Sequence, residues 1–319
     1  MPAREQFKQL LARMRLPVVA APMFLVSGPA LVRAARRAGI MASFPFPNAR
    51  TIEQLEGWLK DACREVDEDG CKLAPLAANM LTHSSYDRAQ AEIALVARYK
   101  PDLVITALGG PKPVIGPVHD YGGLVFADVN SVPFARKAVA AGSDGLVLVA
   151  SGAGGHTGMM AGFAFVSAVR EFFDGPIILG GGLSNGRAIR AAEVLGADLA
   201  YMGTSFIAAE ESLAVEEYRQ AVVAASFDDL VLSNALTGAY AYYLKSSLVR
   251  MGMDPNNPGK RQDGPDFAQS QDQVKAWRDV WSAGHGVGSV NQIRPIADMI
   301  AQLESEYRQA LAVPPFGGF

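Results

Sequence analysis

An α/β chain folded as a (β/α)8 TIM barrel is predicted by three features of the sequence. Short β-rich apolar runs alternate with amphipathic helical stretches, and the alternation continues for about eight units. The runs are apolar throughout rather than polar at every second residue, as parallel strands covered on both faces require. The strand candidates are Val18–Ala21, Ile40–Phe44, Leu73–Ala78, Leu103–Ala107, Leu124–Asp128, Gly145–Val149, Ile177–Gly180 and Leu199–Met202. Between them lie the helical candidates Ala30–Ala38, Ile52–Glu65, Tyr86–Tyr99, Val132–Ala141, Phe163–Phe173 and Arg187–Leu195. The rhythm breaks after Met202. Residues 213–276 read as a mostly helical inserted subdomain containing a Pro/Gly/Asn/Asp-rich loop from Asp254 to Asp266, while 1–212 and 277–319 supply the barrel. A closing amphipathic helix spans Gln292–Leu311.

A barrel with one insertion accommodates 319 residues, of which 50% are hydrophobic and 19% charged. A net charge of −3 gives no footprint for nucleic acid, and no Lys/Arg cluster is dense enough for anionic lipid. Cys63 and Cys71 are too few for a disulfide scaffold and match no zinc spacing, so two reduced thiols and no metal are expected. Arg4, Lys8, Arg13 and Arg15 before Leu16–Val26 superficially mimic an export signal. Glu5 interrupts its basic part, and Pro17 and Pro22 its apolar part. A short helix and a first barrel strand explain the segment better, and no apolar run approaches the roughly 18 residues of a membrane span. A cytoplasmic, membrane-free protein is expected.

The chemistry-bearing segments fall at strand ends. Gly180-Gly181-Gly182 leads from the seventh strand into a helix, and Met202-Gly203-Thr204 ends the eighth. Glycine lets backbone N–H groups approach an anion, and barrels commonly hold phosphate on these two loops. A tight turn without a ligand is the alternative for either cluster alone. The sixth strand runs into Gly154-Gly155-His156-Thr157-Gly158, which sets an imidazole among glycines at the barrel mouth. His156 can act as acid, base or anion anchor, or merely cap a loop. His83 and His119 have weaker claims, and His285 lies in a glycine-rich return loop able to cover the mouth. Asn79, placed after the third strand, can pair with a planar heterocycle or make a turn. In Ala21-Pro22-Met23 the Met side chain can pack on an aromatic ring or fill the barrel top.

Taken together, these motifs resemble the nitronate monooxygenase family (formerly 2-nitropropane dioxygenases), FMN-dependent barrels, from Pro17 to about Ile293. The resemblance rests on Ala21-Pro22-Met23, Asn79, residues 154–158, 180–182 and 202–204, and Trp281-Ser282-Ala283-Gly284. It implies that Ala21, Pro22, Met23, Asn79, Asp128, Gly155, Gly181, Gly182, Gly203 and Thr204 surround FMN. The phosphate would lie on the backbone of Gly181, Gly182, Gly203 and Thr204. It also implies that His156 faces the flavin and serves the substrate, either protonated as an anchor for nitro oxygens or neutral as the base for the α-proton. The flavin would take an electron from the nitronate and pass it to O2. Two departures stand out: His285 where relatives often carry Gln, and Asp128 where some carry a basic residue. Tyr240–Lys245 forms either a lid, with Tyr242 and Lys245 near the substrate, or an aromatic-rich helix packed on the barrel.

A second function compatible with the same motifs is NAD(P)H-dependent reduction of a quinone or enoyl thioester. From another class, a flavin-free phosphate-binding barrel would want a catalytic Lys or a carboxylate pair. The nearest Lys, Lys112, lies in a Pro-flanked stretch. The partners expected are a small-molecule substrate and O2, and a homodimer is compatible with the sequence.

Overall fold

The computed structural model describes residues 2–260 and 278–314. Helix α1 (Ala3–Leu11) precedes β1 (Val18–Ala20), α2 (Pro29–Arg37), β2 (Met41–Pro45), α3 (Ile52–Ala62) and β3 (Leu76–Leu81). The alternation continues through α4 (Ala89–Tyr99), β4 (Leu103–Ala107), α5 (Lys112–His119), β5 (Leu124–Val129), α6 (Val132–Ala140) and β6 (Gly145–Val149). A two-residue strand β7 (Gly155–His156) interrupts it before α7 (Gly162–Arg170), β8 (Ile177–Gly180), α8 (Gly186–Leu195) and β9 (Leu199–Met202). Beyond β9 lie α9 (Thr204–Ile207), α10 (Glu216–Ala224), β10 (Leu230–Ser233), β11 (Ala241–Leu244), α11 (Lys245–Arg250) and α12 (Ile296–Leu311).

Strands β1 to β6, β8 and β9 form a closed barrel, and β1 pairs in parallel with β9 to complete the ring. Val19, Met41, Ala77, Ile105, Phe126, Val147, Ile178 and Leu199 form one cluster, from successive strands around the ring. Period-two alternation makes these the inward residues of a packed core. Helix α1 closes the N-terminal end of that core with Phe7, whose ring centroid lies 5.3 Å from that of Phe126. The outward residues pack under the helices; α12 lies along α8, where Glu306 accepts from the Gly186 N–H at 2.9 Å.

Four strands occupy the stretches their sequences predict: Leu103–Ala107, Gly145–Val149, Ile177–Gly180 and Leu199–Met202. The third starts at Leu76 instead of Leu73, because Pro75 lacks an N–H and Leu73 and Ala74 donate to Glu65 and Arg36 carbonyls. Asn79 therefore lies within β3, paired with Pro45 and Ile105, and not after the strand. Lys112 opens α5 on the outside of the barrel, and His119 ends it.

The segment after Leu213 contains the helices α10 and α11 but also a hairpin. β10 pairs antiparallel with β11, and β11 pairs antiparallel with β7. Tyr240–Lys245 is thus mainly strand, because the segment's other side is bonded to the loop after β6 and cannot close into helical turns. Residues 261–277, which include the rest of the expected insertion and the second part of its Pro/Gly-rich loop, lie outside the described residues. Among the described residues no helix is long and apolar enough to cross a membrane, and no cluster of His, Cys, Asp and Glu is arranged to hold a metal ion.

At the N-terminal rim one device recurs. Asp102, Asp144 and Asp198 each precede a strand, and each accepts the N–H of a residue at the start of a neighbouring strand: Leu76 at 2.9 Å, Val125 at 2.7 Å and Ile177 at 2.8 Å. A basic side chain backs each carboxylate: Arg13, His119 or Arg170. These bonds satisfy strand-end donors that would otherwise lack partners. Replacing Asp198 with Ala should cost about 2 kcal/mol of unfolding free energy and leave the opposite rim unaltered, since it lies at the end away from the mouth. A urea midpoint equal to that of the unsubstituted protein would contradict this.

Candidate active site

The C-terminal ends of the strands meet at the other rim, where barrel chemistry is built from loops. The first loop, Ala21-Pro22-Met23, is clamped from behind. Ser27 Oγ accepts from Met23 N at 2.9 Å and donates to the Ala21 carbonyl at 3.2 Å. Asn48 Nδ2 donates to the carbonyls of Met23 (3.0 Å) and Ser27 (2.7 Å), and its Oδ1 accepts from Leu25 N at 2.8 Å. This clamp holds Met23 beside Gly203, where a β-carbon would sit 3.4 Å from the Met23 sulfur.

Inward alternation carries polar groups to the top of the core. Ser43, Asn79 and Asp128 lie two residues beyond the inward Met41, Ala77 and Phe126, and Tyr201 borders the same cluster. Asn79 Nδ2 makes a long 3.4 Å contact with the Ile105 carbonyl. Ser43 Oγ, Asp128 Oδ1 and Tyr201 OH are buried atoms without a hydrogen-bond partner among the described residues. Burial pushes the Asp128 carboxyl up to about 7, and burial together with the Asp128 charge raises the Tyr201 phenol well above its ordinary value. Buried polar atoms are normally satisfied, so three orphans at one level of the barrel call for a polar partner from outside the chain, a ligand or ordered water.

Around this level the loops after β6, β8 and β9 converge. Gly181 and Gly182 adopt φ of +130° and +70°, the left-handed region where a side chain is strained. A β-carbon on Gly181 would also press to 2.8 Å from the Ser151 carbonyl oxygen. Thr204 opens α9; its hydroxyl accepts from Gly284 N at 2.8 Å, while His285 N donates to the Gly152 carbonyl at 2.9 Å. The return segment thus staples the loops after β6 and β9 together. The His285 ring is boxed edge-on by Phe227 (4.9 Å) and Tyr242 (4.6 Å), and its Nε2 has no partner among the described residues. Burial lowers the His285 pKa.

His156 lies on β7, opposite Ala241 of β11, with Gly155 opposite Tyr242. Its Nε2 lies 3.1 Å from Thr237 Oγ1 in the turn between β10 and β11. Burial depresses its pKa to about 4, so the imidazole is neutral at physiological pH. The structure therefore brings together Met23, Asn79, Asp128, Gly155, His156, the glycine loops, His285 and Tyr242. Lys245 begins α11, and its charge acts on Asp229. Of the weaker histidines, His119 sits at the opposite rim on Asp144, and His83 bonds Ser85 on the loop after β3. Sequence patterns missed Ser43, Tyr201 and Thr237. The first two could have been found by continuing the inward alternation from Met41 and Leu199.

An apolar Met beside glycine loops whose close quarters and left-handed backbone exclude side chains, above unpartnered acid, phenol and hydroxyl groups, fits a planar, polar-edged heterocycle with a phosphate tail.

The sequence profile described as nitronate monooxygenase matches residues 54–306. A nitronate monooxygenase of Paraburkholderia phytofirmans is 26% identical, with 92% of this chain and 93% of that protein aligned. Nitroalkane oxidase from Streptomyces ansochromogenes superposes with a TM-score of 0.79 at 22% identity, covering 95% of this chain and 99% of that one. FabK from Thermotoga maritima does so with a TM-score of 0.77 at 23% identity, covering 96% of each. These two likenesses speak to the barrel fold. With the profile spanning most of the barrel, the chain belongs to the nitronate monooxygenase family and is an oxidoreductase of that flavoenzyme family.

Proposed function

We propose that the protein oxidises alkyl nitronates, and the nitroalkanes that yield them, with FMN as its flavin and O2 as the electron acceptor. The observation that carries this reading is a half-buried His156, its pKa depressed to about 4, on the rim that also presents the glycine loops and the orphaned polar layer. When bound, FMN would supply the one-electron chemistry that carries electrons from nitronate to O2. The backbone N–H groups of Gly181, Gly182, Gly203 and Thr204 would hold its phosphate. Met23 would pack on its ring, with Ala21, Pro22 and Gly155 as neighbours. Asn79, Asp128 and Tyr201 would meet its polar edge, Asp128 as a neutral acid below about pH 7.

A neutral imidazole favours the base role over the anion-anchor role. Taking the α-proton of a nitroalkane breaks its C–H bond, leaves the electron pair on the nitronate and charges His156. Burial opposes that charge, so the imidazolium is stabilised chiefly by the nitronate formed beside it.

His156→Ala should retain FMN and lose nitroalkane turnover by roughly 10²- to 10⁴-fold, the usual scale of one general base. Wild-type kinetics in that variant would remove His156 from the chemistry. Gly182→Asp should purify without flavin, because it sets a carboxylate against the phosphate and strains a left-handed backbone; full flavin occupancy would place the phosphate elsewhere. The pH profile of kcat/KM for a nitroalkane follows from the lowered His156 pKa. A base loses activity as pH falls through its pKa, so the His156 limb should lie near 4 and not near the ordinary value of about 6.5. A limb at the ordinary value would show that the site does not desolvate the ring.

A further inference from the structure

The loop after β1 contains a leucine in a backbone conformation that side chains avoid. Leu25 has a φ of +62°, in the left-handed region, where a β-carbon crowds the following carbonyl. The segment around it closes on itself, with Val26 N and Ser27 N donating to the Met23 carbonyl at 3.1 and 2.9 Å. The Leu25 N–H and the Met23 and Ser27 carbonyls all meet one side chain, Asn48, which is 7% exposed. Asn48 ends a short 3-10 turn, Phe46–Asn48, after β2. Its neighbours fix it there. Phe46 is fully buried, Ala49 N donates to the Phe46 carbonyl at 3.0 Å, and the Ala49 carbonyl accepts from Arg88 Nη1 at 2.9 Å.

An asparagine amide matches these three partners. One of them is a donor and two are acceptors, so the group that meets them needs one acceptor and two protons to give. The partners also fix the amide's orientation: Nδ2 gives one proton to each carbonyl, and Oδ1 takes the Leu25 N–H. Aspartate offers no proton, serine and threonine offer one, and the extra methylene of glutamine displaces the amide. The three bonds reach residues 23, 25 and 27, so they hold the turn at the strained position and on both sides of it. Ser27, whose carbonyl Asn48 holds, uses its own hydroxyl to bridge Met23 N and the Ala21 carbonyl, at 2.9 and 3.2 Å. The loop is touched elsewhere by Leu213 N, which donates to the Val26 carbonyl at 2.8 Å, and by the Arg50 guanidinium, 5.9 Å from the Phe24 ring centroid.

We infer that Asn48 is a positioning residue for the flavin site: its amide holds the strained turn at Leu25 closed and so fixes Met23 at the barrel mouth. Without the amide, Leu25 relaxes toward ordinary backbone angles, and Met23 moves with it because both belong to one turn. The clamp stands on the hydrogen bonds; its effect on flavin rests on the proposed placement of FMN against Met23. The role couples two residues. The leucine at 25 weakens the site only where Asn48 is absent, since Leu25→Gly lets the backbone adopt the same φ without strain.

The test titrates the full-length apoprotein with FMN for Asn48→Ala, Leu25→Gly and the double variant. Asn48→Ala should weaken FMN binding about tenfold, the scale of one lost hydrogen bond. Leu25→Gly alone should stay within about threefold of wild type, and the double variant should recover most of the loss. Carbon NMR of methionine-methyl-labelled apoprotein follows Met23 directly, its signal identified by Met23→Leu. That signal should move toward the position of a free methionine in Asn48→Ala and return in the double variant. A role confined to packing the loop after β2 would not be cured by a change at Leu25. Unchanged FMN affinity in Asn48→Ala overturns the inference, as does a double variant that does not fold or binds FMN no better than Asn48→Ala. If Asn48→Ala alone fails to fold, recovery of folding and FMN binding in the double variant supports the inference. If wild-type apoprotein binds no FMN, the flavin reading falls while the Met23 signal still decides the clamp.

Discussion

A closed ring of parallel strands has no edge along its sides, so every strand must finish on one rim. Eight chain ends with unpaired N–H and C=O groups converge there, and the loops that carry them are free to vary without opening the barrel. The rest of the molecule divides along this axis. Helix α1 and the Asp102, Asp144 and Asp198 caps close the N-terminal end with apolar packing and paired charges. The C-terminal end keeps its polar groups unpaired, and Ser43, Asp128 and Tyr201 sit in a core whose lower levels are purely apolar. Stability is placed at one end and the cost of orphaned polar atoms at the other, where a ligand can offset it.

The insertion gains its importance through β-pairing and not through bulk. Because β11 adds to β7, residues 155–157 are held on two sides, by the barrel loop and by the hairpin. The same pairing delivers Thr237 to His156 and Tyr242 to the edge of His285. A histidine on a glycine-rich loop would otherwise sample many orientations; here its ring is fixed by residues folded far away in sequence. The His285 backbone bond to Gly152 and the Gly284 bond to Thr204 tie the third side.

Much of the barrel was legible because its code is local. Runs such as Leu103–Ala107 and Leu199–Met202 are β-rich, apolar and bounded by breakers, so their limits follow from the residues themselves. The offset at β3 arose where Pro75 forbids pairing within an otherwise suitable run. The glycine loops and His156 could be assigned to the rim because strand ends mark it, whereas Asp128 stood out only as a departure from the family resemblance. The hairpin was not: Leu230–Ser233 and Ala241–Leu244 each have four residues, and the connection between them is too long to carry a two-residue turn signature. The pairing of Thr237 with His156 leaves no periodic trace, since it depends on the register Ala241↔His156 across two separate sheets' worth of chain.

The central claim is that nitronate, without a nicotinamide donor, reduces the bound flavin. Anaerobic absorbance titration of the purified protein with propyl-2-nitronate and with NADPH, in separate cuvettes, tests it directly. The account predicts bleaching of the flavin by the nitronate and an unchanged spectrum with NADPH. Bleaching by NADPH alone would contradict it and make the same rim the site of a nicotinamide-dependent reductase.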